Sequence, residues 1–306
     1  MPASSNLRGA MLMSIAMAAF TTNDAITKAV SSAMNMGQVM LVRGLFATLL
    51  VVLIAWHKGA LRAPLGVLQP MVMLRVFGEV GGTVCFLLAL ARLPIANVSA
   101  VMQALPLAVT MGAALVFDEP VGWRRWLAIS IGFLGVVIVV RPGFEGFSAY
   151  ALLALASVFF CAIRDLATKR IPADVPTFLV STATSAAVMI TGAATVQPLG
   201  GWMPLTFYSA ALLATAALLL IVGYQSIIGA MRTGEISFIA PFRYTALLWS
   251  ILLGFAFFGD VPDAAMIVGA TIIIGSGLYA LYRERVLGKG MPATESTGPA
   301  MVPDGM

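Results

Sequence analysis

Ten long apolar runs constrain the fold of this chain more than any other feature. Each holds about 18 to 25 residues, which as a helix rising 1.5 Å per residue crosses a hydrocarbon core of roughly 30 Å. Residues that break helices or carry charge separate the runs. The predicted spans are 7–30, 36–56, 68–91, 96–117, 123–141, 148–168, 175–195, 205–231, 235–258 and 263–282.

Composition agrees with a membrane-embedded chain. Only 10% of the residues are charged, against about 25% in a soluble domain, and 60% are hydrophobic with a mean hydropathy of +0.97. The sequence therefore predicts an all-α membrane protein with ten transmembrane helices. The first run carries Asn23 and Asp24 and lacks a signal-peptide cleavage pattern, so we expect it to remain as a helix.

The positions of Lys and Arg predict the orientation. If the amino terminus is cytoplasmic, eleven of these residues lie on the cytoplasmic side, three lie outside and four fall within spans. Such a bias predicts that both termini are cytoplasmic in a cell's inner (plasma) membrane. The polar segment 285–306 is expected to be a disordered cytoplasmic tail.

One polar pattern occurs twice. "DAITK" begins at Asp24 and "DLATK" at Asp165, 141 residues later, and three other matches share this offset within one residue. A duplicated unit of five helices enters the membrane from opposite sides, which makes the halves inverted repeats. The predicted repeats are 1–143 and 144–284. This construction is typical of secondary transporters, whose substrate site lies between the halves near the midplane.

Segments 89–143 and 230–284 share a set of features that resembles a known domain. The features are a short Arg-containing turn, a helix with Pro106 or Pro241 in its first half, an acidic turn, and a last helix with glycine. Both segments resemble the EamA domain of the drug/metabolite transporter (DMT) superfamily. The acidic turns depart from the usual Gly-Glu pair, because they read Asp118-Glu119 and Gly259-Asp260.

The resemblance implies the ten-helix DMT fold and secondary transport of a metabolite. Members of similar size include exporters of neutral and aromatic amino acids, among them the YddG type. Others carry vitamins, nucleotide sugars or sugar phosphates. A phosphorylated substrate would need a cluster of cavity-facing Lys and Arg. Because this chain has about four intramembrane cations, several with an acid nearby, we expect a zwitterionic or neutral substrate such as an amino acid.

Charged side chains inside the bilayer should have partners or face a water-filled cavity. By helix rise, Asp24 and Arg43 lie at similar depths, roughly 20 Å from the cytoplasmic face, and Glu79 and Arg243 lie at roughly 14 Å. Each pair is either a fixed ion pair or, for Glu79 and Arg243 on different repeats, a pair that exchanges with the substrate. The repeated Asp24–Lys28 and Asp165–Lys169 turns are either helix-end ion pairs or gate contacts.

Uncharged groups complete the predicted site. Ring faces and hydrogen-bonding groups would line an otherwise apolar cavity. The predicted substrate-binding residues are Glu79, Arg243, Gln103, Tyr244, Trp249, Phe20, Phe160 and Tyr224, with Asn23, Ser157 and Gln225 as further polar groups.

Other functions receive no support from the sequence. His57 is the one histidine, and Cys85 and Cys161 lie within spans without metal-ligand spacing, so we expect no metal, no cofactor and no catalytic nucleophile. No ATP-binding G-x-x-x-x-G-K-[ST] motif occurs. The net charge of +5 fits loops that face anionic lipid, so no nucleic acid partner is expected. A monomer is one option, and the sequence leaves the oligomeric state open.

Overall fold

The computed structural model describes residues 3–57, 59, 64–119, 121–143, 147–172, 174–233 and 236–286. Ten long helices make up this part of the chain, and their ends differ from the predicted spans by at most four residues. They are α1 (Ala3–Val30), α2 (Met36–His57), α3 (Pro70–Leu90), α4 (Ile95–Val116), α5 (Trp123–Val140), α6 (Ala149–Lys169), α7 (Thr177–Val196), α8 (Phe207–Thr233), α9 (236–258) and α10 (Ala264–Val286).

Nine of these ten described helices, all except α1, are long and apolar enough to cross a membrane. The predicted all-α membrane fold is therefore confirmed. Because ten successive helices alternate in direction, the start of α1 and the end of α10 lie at one end of the bundle, here called the terminal end. The predicted tail 285–306 lies almost wholly outside the described residues.

Two helices are interrupted at the middle of the bundle. The first, α4, consists of Ile95–Met102 and Leu105–Val116, and Pro106 stands in the first turn of the second piece, where its missing N–H removes no helical hydrogen bond. In α9, a tight 3₁₀ segment (Ala240–Tyr244) precedes the helix Thr245–Leu253 and a π-helical turn (Gly254–Phe258). Interrupted helices are a common way to line a transporter's midplane site.

The main helix pairs join the two halves of the chain. Helix α1 packs on α8, α2 on α7, α3 on α6 and α5 on α10. The two repeats are compared by replacing each helix with the helix five places away in the chain. The packed pair α1–α8 then becomes the pair α6–α3, and the pairs α2–α7 and α5–α10 stay the same. This is the packing expected of two inverted five-helix repeats. The boundary at 143/144 stays a prediction.

Glycines set the closest of these contacts. A Cβ atom at Gly78 of α3 would lie 2.8 Å from the backbone nitrogen of Arg164 in α6, and one at Gly135 of α5 would lie 2.8 Å from the carbonyl oxygen of Gly269 in α10. Small residues allow helix backbones to approach where lipid supplies no hydrophobic driving force. At Gly78 the approach also brings the next residue, Glu79, against α6.

Candidate functional site

A central cavity of about 300 Å³ lies between the two halves. Residues from both repeats line it at matching positions, 141 residues apart. The matched pairs are Phe20 and Cys161, Asn23 and Arg164, Glu79 and Leu220, Thr83 and Tyr224, Phe86 and Ile227, Ser99 and Ala240, Met102 and Arg243, Gln103 and Tyr244, and Leu105 and Ala246. The cavity therefore surrounds the approximate two-fold axis, where the inverted-repeat interpretation predicted the site.

The matched positions differ in chemistry, so the cavity is polar on some walls and apolar on others. Five charged side chains reach it: Asp24, Arg43, Glu79, Arg164 and Arg243. Three are guanidinium groups and two are carboxylates. Charges of both signs in one cavity suit a ligand that itself carries both.

Glu79 is held by two arginines. Its Oε2 atom lies 3.3 Å from Nη1 of Arg164 on α6 and 3.8 Å from Nη1 of Arg75, one turn earlier on α3. The predicted partner of Glu79 was therefore wrong, because the sequence favoured Arg243. Arg243 lines the same cavity, and Asp165 and Arg164 are among the charges that act on it. Depth along a helix predicted a shared level and could not predict which helix faces are adjacent.

Asp24 has a different environment. Its Oδ1 atom accepts a hydrogen bond of 2.9 Å from the amide of Asn23, whose own oxygen lies 3.4 Å from Nη1 of Arg43. Asp24 and Arg43, the predicted pair, are therefore linked by the neutral side chain of Asn23, which hydrogen-bonds to both. Asp24 lines the cavity without a guanidinium in hydrogen-bond contact among the described residues.

The matching carboxylate in the second repeat lies outside the cavity. Asp165 is buried and accepts a hydrogen bond of 2.8 Å from Nε of Arg164, the residue that replaces Asn23 at the matched position. Asp165 does not line the central cavity. One ancestral feature therefore has two environments, with a cavity-lining acid in the first repeat and a buried ion pair in the second.

Most of the predicted uncharged residues also reach the cavity. Phe20, Gln103, Tyr224 and Tyr244 line it, and the rings of Phe20 and Tyr224 meet edge to face with centroids 5.2 Å apart. Two predicted residues do not line it. The Phe160 ring packs where a Cβ atom at Gly81 would lie, and Trp249 is 36% exposed on the outside of the bundle.

The repeated lysines do not form the predicted ion pairs with Asp24 and Asp165. Lys28 donates hydrogen bonds to the carbonyl oxygens of Leu90, the last residue of α3, and of Leu93 in the turn that follows. Lys169 instead forms an ion pair with Glu119 in the turn after α4. The interpretation that each lysine forms an ion pair with the aspartate of its own helix end was therefore wrong.

A second cavity, here called the side chamber, adjoins the first. It measures about 130 Å³ and lies between α2, α3, α7 and α8. Arg43, Glu79 and Tyr224 line both spaces. The predicted polar group Gln225 lines this chamber, whereas Ser157 is buried and hydrogen-bonds to its own helix. The chamber was not predicted from the sequence, although small polar residues at helical spacing on α7 could have suggested it (Ser181, Thr184, Ser185).

Nothing in the described residues resembles a metal centre, because no group of three His, Cys, Asp or Glu side chains converges there. The chemistry of the site consists of charge pairing, hydrogen bonding and ring contact.

Comparison with known proteins finds a family that resembles the first half of the chain. Residues 7–141 match the EamA-like transporter family. The match supports the resemblance of this chain to EamA domains of the DMT superfamily. The matched region corresponds to the first predicted repeat.

Relatives of known activity align with this chain over most of their length. The riboflavin transporter of Vibrio cholerae serotype O1 is 29% identical over 88% of this chain and 91% of its own. The pseudopaline exporter of Pseudomonas aeruginosa is 26% identical (87% and 93%), and the S-adenosylmethionine uptake transporter of Rickettsia bellii is 24% identical (87% and 90%).

One solved crystal structure of a protein supports the fold. It is 21% identical, with a TM-score of 0.61, and the alignment covers 92% of this chain and 99% of that one. The names of these relatives indicate a transporter of a small metabolite rather than an enzyme, and the nine candidate spans among the described helices fit a multi-pass membrane protein.

Proposed function

We propose that this protein is a secondary transporter that exports neutral and aromatic amino acids by alternating access between its two repeats. It is proposed to lie in the inner membrane with both termini cytoplasmic, as the distribution of Lys and Arg favours. The observation that carries the substrate proposal is the central cavity, which presents carboxylates, guanidinium groups and aromatic rings around one axis.

A zwitterion matches this cavity better than a phosphorylated compound. Asp24, whose described hydrogen bond is to a neutral amide, is placed to attract an ammonium group. Arg43 and Arg243 are placed to attract a carboxylate. Glu79 was expected to hold the ammonium, but Arg75 and Arg164 already compensate its charge. We therefore assign the ammonium site to Asp24, with Gln103 and Tyr244 as neighbouring contacts.

The volume supports a small substrate. Ligand pockets usually measure about 300 to 1,000 Å³, and the central cavity is at the lower limit at about 300 Å³. The relatives' substrates are small organic molecules, and one of them, S-adenosylmethionine, carries an α-amino acid group. The 29% identity to a riboflavin transporter supports a second candidate, a vitamin with a flat ring system, for which the ring pair Phe20–Tyr224 would be a contact.

Counterflow into liposomes that contain only this protein tests the substrate class. Phenylalanine and threonine should exchange, and a sugar phosphate should not. Efficient exchange of riboflavin with none of either amino acid would favour the second candidate, and exchange of a sugar phosphate alone would contradict both.

A comparison of analogues tests the role of Asp24. Phenylalanine should compete better than 3-phenylpropionate, which lacks the ammonium group, and Asp24→Asn should remove this preference. Asp165→Asn is the matched control, because Asp165 stands at the equivalent position outside the cavity. If Asp24→Asn weakens competition by both compounds equally, Asp24 does not bind the ammonium.

A further inference from the structure

Glycines allow α2 and α7 to approach closely at one end of the bundle. A Cβ atom at Gly37 would lie 2.7 Å from the carbonyl carbon of Thr195, and one at Gly192 would lie 2.5 Å from the backbone nitrogen of Leu41. A Cβ at Gly44 would lie 3.0 Å from the Cα atom of Met189. The two backbones therefore touch along the half of the contact remote from the terminal end.

The matched positions at the terminal end hold larger residues. The 141-residue offset equates Gly37 with Phe178, Gly44 with Ser185 and Val51 with Gly192. All three of the larger residues line the side chamber. Their side chains occupy the space that the backbones fill at the other end, so the helices stand apart and the chamber of about 130 Å³ opens between them. The chamber is thus a consequence of sequence differences between the repeats.

The chamber leads directly to the charged wall of the central cavity. Arg43 and Glu79 line both spaces, and the chamber extends from there towards Ile54 and Phe178. The surface of its lining is mostly apolar, although Thr83, Tyr224 and Gln225 also contribute polar groups. The hydroxyl groups of Thr184 and Ser185 already donate to backbone carbonyl oxygens of α7. An apolar occupant would therefore leave these donors satisfied.

We propose that the side chamber is the subsite for the substrate's apolar side chain, while the charged groups of the same molecule lie in the central cavity. This inference rests on the proposed function, and it adds the part of the structure that selects among amino acids. A cavity of roughly 150 Å³ with apolar walls is large enough to bind benzene, so this chamber suits the side chain of leucine or phenylalanine.

Filling the chamber tests the subsite. Ala47 and its matched residue Val188 both line it, and Ala47→Leu places three more carbon atoms inside. Phenylalanine and leucine counterflow should fall about tenfold or more, the scale of discrimination by an apolar pocket, while alanine counterflow stays within about twofold. The matched control is Ala183→Leu, on the same helix as Val188 but outside the chamber lining.

A second variant keeps the subsite testable if Ala47→Leu does not fold. Val188→Ala enlarges the chamber and should raise tryptophan counterflow relative to alanine. If Ala47→Leu and Val188→Ala leave the ratio of phenylalanine or tryptophan to alanine unchanged, the subsite is refuted while amino acid transport stands. If the unaltered protein exchanges no amino acid, the proposed function fails and the side-chain subsite fails with it.

Discussion

The ammonium group of Lys28, near the end of α1, lies 5.5 Å from the ring centroid of Phe258, near the end of α9. The matched Lys169 of α6 lies 5.9 Å from the ring of Phe117, at the end of α4. Each lysine thus meets the acidic turn of the other repeat, since Asp260 acts electrostatically on Lys28 and Glu119 pairs with Lys169. The two contacts lie at opposite ends of the bundle and keep the gate hypothesis open.

Removal of one lysine should favour opening at its own end. Loss of the cation–π contact together with the ion pair of Lys169, or with the carbonyl hydrogen bonds of Lys28, should cost about 1 kcal/mol, which shifts an open–closed equilibrium by roughly fivefold. A thiol introduced at Ser99, which lines the cavity, reports access to impermeant reagents after Cys85 and Cys161 are replaced by alanine. Lys169→Met should speed labelling from the terminal end, and Lys28→Met from the other. Equal acceleration from both sides would indicate general loosening.

The glycine contact of α2 with α7 predicts a stability difference. Gly37→Ala should destabilise the fold by about 1 to 3 kcal/mol, because its Cβ would meet the α7 backbone. Gly275→Ala in α10 is the control, since nothing lies within 4 Å of its Cβ position, and the better helix propensity of alanine should leave stability equal or higher. Thermal unfolding in detergent measures both. A melting temperature for Gly37→Ala equal to that of Gly275→Ala would contradict the packing.

The charge cluster around Glu79 predicts a rescue. Glu79→Gln leaves Arg75 and Arg164 without this carboxylate and should cost about 3 to 5 kcal/mol, as for other broken buried pairs. Arg164 retains Asp165, so adding Arg75→Gln should recover much of the loss. The readout is the folded fraction after heating. A double variant less stable than Glu79→Gln would show that Arg75 serves another partner.

One carboxylate at the start of α10 predicts a dependence on pH. Asp263 accepts a hydrogen bond of 2.8 Å from the backbone N–H of Met266 and pairs with Arg141. The Met266 hydrogen bond and then Arg141 lower the pKa of Asp263 below its ordinary value of 3.8. A lowered pKa means that the ionised form stabilises the fold above 3.8 and that this contribution is lost as the pH falls through the folded-state pKa.

Asp263→Asn isolates this charge, because asparagine keeps an oxygen for the helix cap. The unaltered protein should melt above the variant at neutral pH, and the difference should shrink well below pH 3.8. A difference that is constant over this range would mean that the charge contributes nothing.

Labelling tests the orientation. A thiol introduced at Leu199, in the exposed turn between α7 and α8, should react with an impermeant reagent from outside the cell, whereas tags at both termini should be accessible only from the cytoplasm. Labelling of Leu199→Cys from the cytoplasm alone would reverse the proposed orientation.

The sequence by itself determined the ten helices, because apolar length and the cost of exposing backbone groups to lipid leave few alternatives. It also determined the repeat, since Asp24 and Asp165 stand 141 residues apart in matching contexts. From the repeat followed a site between the halves and most of its lining, including Gln103, Tyr224 and Tyr244.

Only the tertiary structure decided which groups meet. Helix rise gave Glu79 and Arg243 a common depth, but the rotation of each helix and the close approach at Gly78 put Glu79 against Arg164 instead. Likewise, the spacing of Asp24 and Lys28 suggested a pair within one helix, while Lys28 reaches the end of α3. Side-chain partners depend on which faces pack together, and that is set by contacts between residues far apart in the chain.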